Sequence, residues 1–178
     1  SVSVSGSSIE SINLSNMNIQ AFTLIHSRVG ENVLLTACHI TDEITISRTK
    51  IQGSIRLDSA SIMCPDGFVC THNAIHGNIE LSDTIVKGQS NLSHSEMNNL
   101  TANDFESRGG GFSLAHSKVN GKLQLQNSVI DGIADFNGIV VCENSDVKYT
   151  VFHGLFDAAN SKWLGNVNIS YYAGELSG

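Results

Sequence analysis

GGFSLAHSKVNGKLQLQNSVIDG, residues 110–132, decides the fold. From Phe112 it reads Phe112-x-Leu114-x-x-Ser117-x-Val119-x-Gly121, and the next eleven residues repeat it as Leu123-x-Leu125-x-x-Ser128-x-Ile130-x-Gly132. Apolar residues hold places 1, 3 and 8 of an 11-residue unit, a small residue place 6 and Gly place 10. Alternation within each half of the unit is the strand period of two and excludes a helix. Such short strands cannot bury their inner face alone. Stacking each coil on the last at ~4.8 Å pairs the backbone and continues the core.

Outward from this stretch the same frame runs through nearly the whole chain. Places 1 and 3 fall on Val2 and Val4, Ile12 and Leu14, Phe22 and Leu24, Val33 and Leu35, Ile44 and Ile46, and Ile55 and Leu57. Two extra residues enter around Cys64-Pro65-Asp66-Gly67, and the frame resumes at Phe68 and Cys70 and reaches Val167 and Ile169. Place 10 is Gly at Gly53, Gly77, Gly88, Gly110, Gly121, Gly132, Gly154 and Gly165, with Asp42 and Asn99 standing in at two others. Gly, Asn and Asp tolerate the left-handed conformation, so place 10 is the expected corner. One unit breaks the rule: in LTANDFESRGG (100–110), Asn103 and Arg108 occupy apolar places and Phe105 a corner place. Two readings stay open there: a frame shift that turns Leu100 and Phe105 inward, or a contact patch of Phe105 with Asp104, Glu106 and Arg108.

A slower period sets the coil. Place 5 carries His26, Arg48, His72, His94 and His116 in alternate units, so residues 22 apart are in register once the insertion is allowed for. About sixteen units then give about eight coils and a rod of roughly 35–40 Å. The expected fold is all-β: a right-handed parallel β-helix, a solenoid of about 22 residues per coil made of two 11-residue units, occupying residues 1–178 as one domain.

GSIRLDSASI (53–62), GNIELSDTIV (77–86) and GKLQLQNSVI (121–130) resemble pentapeptide-repeat-like bacterial β-helix proteins built of G-x-L-x-L-x-x-A-x-I units. Some of those are labelled membrane-associated oxidoreductases, but no redox motif here matches that label. The resemblance implies a four-sided coil and a bacterial or phage protein, in the cytoplasm or at the cell surface. The strict A-[DN]-L-x-x run of the DNA-mimicking members is absent.

Composition narrows the function classes. A formal charge of −7 with His neutral speaks against a nucleic-acid backbone as partner. No apolar run approaches the ~20 residues of a membrane-spanning helix. Cys38, Cys64, Cys70 and Cys142 make no metal motif; Cys38 falls at the small inward place, and Cys64 and Cys70 flank the insertion where a bridge could form. No P-loop, G-x-S-x-G or H-E-x-x-H occurs, and neither cofactor nor metal is expected. Neither end reads as a cap. A longer parent protein, an end-to-end homo-oligomer, and an aromatic plug from Trp163, Tyr171 and Tyr172 are the readings this leaves.

The His/Arg column is the main candidate site, its side chains expected outside at a corner. It can be mere stacking of like side chains, an anion-facing contact, or paired metal chelation by His72, His94 and His116. Protonating neighbouring imidazoles costs on the order of 1 kcal/mol per contact, so acid is expected to loosen the rod. For catalysis, Asp58 and Asp104 fall in one outward column, two coils and about 10 Å apart, at the outer limit for an inverting glycosidase pair. The expected function is a non-catalytic rigid scaffold or protein-interaction module contacting its partner through His26, Arg48, His72, His94 and His116, with Phe105 and Arg108 as a second patch. A carbohydrate-contacting or phage-tail-type surface and a filament-forming solenoid are the alternatives.

Overall fold

The structure, a computed structural model, describes residues 1–172, with side chains to residue 170. All regular structure there is strand, and every pairing is parallel. The chain winds as a four-sided ribbon, and successive laps lie in register. On face 1, Phe22 sits over Val2, Ile44 over Phe22, Phe68 over Ile44, and Ser90, Phe112, Ala134 and Phe156 follow. Face 2 is a separate eight-stranded sheet running from Ser8–Ile9 through Arg28–Val29 and Lys50–Ile51 to Lys162–Trp163. Face 3 stacks Ile12, Val33, Ile55, Ile79, Leu100, Leu123, Ser145 and Val167. Face 4 stacks Ile19, Ile40, Ile62, Val86, Ser107, Ile130 and Phe152. Eight strands on face 2 mean eight laps, as the 22-residue period predicts.

Places 1, 3 and 8 fill the interior. Phe22, Leu24, Val29, Val33, Leu35 and Ile40, which make up one lap, are all 0% exposed. In the later laps Phe112, Phe136 and Phe156 stack edge to face at 6.1 and 5.2 Å. Place 6 is inward too, and its small polar residues tie one lap to the next. Ser95 Oγ donates to the Cys70 carbonyl at 3.1 Å and accepts from the Asn73 backbone N–H at 3.2 Å. Ser117 does the same for Leu92 and Ser95, and Ser128 for Ala102 and Phe105. These bonds satisfy the backbone groups that a sharp corner would strand in the core. Cys38, at the same place, is buried and free; Cys64 and Cys70 are also buried free thiols and form no bridge. Burial, reinforced at Cys64 by Asp42, pushes Cys64 up to about 11, and burial alone pushes Cys70 up to about 12.

The corners match expectation at place 5 and depart from it at place 10. The left-handed residues stand at place 5, where thirteen non-glycine residues from Asn16 to Asn160 hold φ between 51° and 61°. Asp42 and Asn99 are not left-handed, and of the place-10 glycines only Gly88 is. The others are required by closeness. A Cβ on Gly53 would lie 2.7 Å from the Glu31 carbonyl, and one on Gly132 2.7 Å from the carbonyl carbon of Gly110. Place 10 is thus where one lap runs tightest against the last.

The irregular unit is a frame shift. Leu100 pairs with Leu123, Ala102 is buried, and Asp104 takes the left-handed corner. Phe105 therefore falls at inward place 6, 1% exposed and 5.4 Å from the Phe112 ring. It is no surface contact, because the one-residue slip turns every side chain of that unit over. An aromatic plug built on Tyr171 and Tyr172 concerns side chains outside the described residues. Trp163 packs half-buried over Phe136 with its ring 6.5 Å away.

Candidate functional site

The left-handed corner between faces 1 and 2 explains the candidate column. At φ 51–59° the side chains of His26, Arg48, His72, His94 and His116 are turned out of the lap, and all five are exposed. Each corner N–H is held by the next lap: His26 N donates to the Ser47 carbonyl at 3.1 Å and His94 N to that of Ala115 at 2.9 Å. Stacking then brings the side chains together. Arg48 Nη1 lies 3.4 Å from His26 Nε2, the His72 and His94 rings are 4.7 Å apart and within 4° of parallel, and His94 and His116 are 5.2 Å apart. Ring lone pairs lie in the ring plane, so the parallel imidazoles of His72 and His94 do not aim at a common point between them. Among the described residues no group of three His, Cys, Asp or Glu side chains is placed to hold a metal ion.

The other expected members lie elsewhere. Arg108 sits at the corner between faces 4 and 1, in register with Lys87, and its guanidinium pairs with Glu106 at 2.8 Å. That pair holds the Glu106 carboxyl below its usual range. One lap on, Asp131 accepts from Gly109 N at 2.8 Å and contacts His153 Nδ1 at 2.9 Å, and these two bonds, in that order, lower its pKa. Asp104 stands at a corner place, one place away from the column of Asp58, so the two acids do not share a column. Asp58 instead accepts from the Ser82 backbone N–H at 3.1 Å.

One feature went unread in the sequence. Place 7 of alternate units carries Arg28, Lys50, Ala74, Glu96 and Lys118, and these align on face 2, two residues beyond the His/Arg corner. The 22-residue period that exposes the corner column exposes this one equally. Lys118 pairs with Glu96 at 3.1 Å, and Asn120 Nδ2 also donates to Glu96 at 3.0 Å. Both bonds, Asn120 the larger, hold the Glu96 carboxyl low. Beside Ala74 the small side chain leaves a depression of about 350 Å³ bordered by His76, Glu96, Asn98 and Asn120. A second, of about 340 Å³, continues from Asn98 around the next corner past Asn78, Asn99 and Gln124.

No protein-family model, curated protein or solved structure matches this chain. Among the described residues no helix is long and apolar enough to cross a membrane.

Proposed function

We propose that the chain is a non-catalytic rigid scaffold whose work is to hold an interaction surface in fixed register. One observation carries the reading: the corner imidazoles of His72, His94 and His116, on consecutive laps, are aligned at 4.7 and 5.2 Å on a paired backbone ladder. Stacked parallel laps make a stiff track, and binding to a pre-ordered surface loses less conformational entropy. The pair the sequence offered for an inverting reaction, Asp58 and Asp104, does not share a column, and the shallow depressions on the rod lack the walls that exclude water from a reaction. The kinship with pentapeptide-repeat-like proteins rests on the same alternation of small and large inward residues, and architecture of this kind serves many functions.

The test is affinity capture with the natural chain and with a variant in which His26, Arg48, His72, His94 and His116 are all Ser. The scaffold reading expects a macromolecule retained by the first and lost by the second at unchanged circular dichroism. Equal capture by both, or turnover of a bound substrate, would overturn it.

A further inference from the structure

Charge on this molecule is sorted by face. Of the 10 Lys and Arg, Arg28, Arg48, Lys50, Lys118 and Lys162 lie on face 2 and its corner with face 1, although the chain carries 17 Asp and Glu. The one carboxylate in that column is Glu96, which Lys118 already holds. Arg28 and Lys50 are directly opposite in neighbouring strands, and Arg48 extends over His26. Among the described residues none of these three cations has a carboxylate partner; Glu10 and Glu31 stand at the opposite corner of the face. Like charges in register across strands destabilise a sheet. Unopposed positive charge on this strip is open to something negative.

The neighbouring surface says what kind of anion. Immediately along face 2 lies the polar depression over Ala74, bordered by the Asn98 and Asn120 amides, the Glu96 carboxylate and the His76 imidazole, with no Lys or Arg in its lining. Asn120 spends its Nδ2 on Glu96 and Asn98 its Nδ2 on Asn78, so each turns an Oδ1 without a protein partner among the described residues. Free amide oxygens beside a carboxylate accept hydrogen bonds from hydroxyls; they repel phosphates and carboxylates. A ligand that satisfies both halves of the face carries anionic groups and hydroxyl groups on one extended chain. From Arg28 to Lys118 the track is four stacking steps, about 19 Å.

We propose that face 2 binds a linear acidic glycan of the uronate class lying along the rod. Its carboxylates pair with Arg28, Arg48 and Lys50, whose heads suit planar carboxylates, and its ring hydroxyls donate to Asn98, Asn120 and Glu96. Places 5 and 7 make a strip two columns wide, which a single extended chain can follow lap by lap. The inference rests on the scaffold reading and names the ligand of that surface.

The experiment is calorimetric titration of the whole chain with oligomannuronate, with neutral dextran oligomers, poly-glutamate and single-stranded DNA as parallel arms. Three variants accompany it: Arg28→Glu/Arg48→Glu/Lys50→Glu, Asn98→Ala/Asn120→Ala, and Lys87→Glu at the corner between faces 4 and 1 as a charge control. Oligomannuronate is expected to bind best, to weaken about tenfold or more in the charge-reversed variant, to weaken measurably in the amide variant, and to be unchanged by Lys87→Glu. Poly-glutamate or DNA binding as tightly as the uronate, or uronate binding indifferent to either face 2 variant, would overturn the assignment. So would an absence of uronate binding, and if the five-Ser variant had nonetheless lost a captured macromolecule, the scaffold reading would stand while the glycan inference fell.

Discussion

Thirteen non-glycine residues in the left-handed region make place 5 a site of repeated backbone cost. An L-residue there loses roughly 1–2 kcal/mol relative to glycine, of which glycine's own unfolded-state entropy returns about half. Ala37 is the plainest case, with φ 54° and no side chain to contribute a contact beyond its methyl. Ala37→Gly should therefore raise stability by about 0.5–1 kcal/mol, and Ala37→Val should lower it by at least ~1 kcal/mol, since β-branching makes that region worse. Paired urea titrations decide this, and an Ala37→Gly variant no more stable than the parent would show that the corner carries no strain. Place 5 was legible as an outward corner column, but its left-handed backbone was not, because Arg, Ala, Ser and Tyr give no sign of that preference. The Asn and Asp members of that place, Asn16, Asp83, Asp104, Asn127 and Asn160, carry it.

At the scale of the element, the strands are mostly two residues long, so what joins the laps is pinned point by point. Asp131 is one such pin, holding Gly109 N of the preceding lap and His153 of the next. Its depressed pKa fixes the sign of a pH effect. The folded value lies below the unfolded carboxylate value of about 3.9, so the stabilisation is complete above that value and fades as pH falls through the folded one. The side chain is 37% exposed, which limits the effect to under about 1 kcal/mol. Asp131→Asn should unfold at lower urea than the parent at pH 7, and the gap should narrow as pH falls below about 3.9. A gap that does not narrow would mean the carboxylate charge is not the cause. This pin was out of reach of the sequence, since it depends on which residues of neighbouring laps meet. The alternation 1, 3 and 8 was legible because it is a property of one strand. The frame of the unit at Leu100 was ambiguous for the same reason, and the partner strand at Leu123 resolves it.

Over the whole molecule, each lap touches only the two beside it, so stability is a sum of lap and interface terms. Val2, Val4, Ile9 and Leu14 of the first lap are only partly buried, whereas Leu57, Ile62, Phe68, Cys70, Leu81 and Val86 in the middle are 0% exposed. Phe156, Ala158 and Trp163 near the other end are likewise only partly buried, so amide exchange should be faster in the first lap and around residues 156–169 than between Ile55 and Met97. Uniform protection along the rod would point to all-or-none unfolding instead.

The place-6 bonds have a direction. Where such a bond crosses between laps, the side chain belongs to the lap that follows the backbone group it serves, as Thr49 does for Leu24 and Ser27, and Asn73 for Ile46 and Thr49. A ribosome delivers the laps in that order. Each one emerges with its polar groups still wet, and the next length of chain to leave the tunnel carries the hydroxyl or amide that relieves them, so the protein can be wound up in the sense in which it is made.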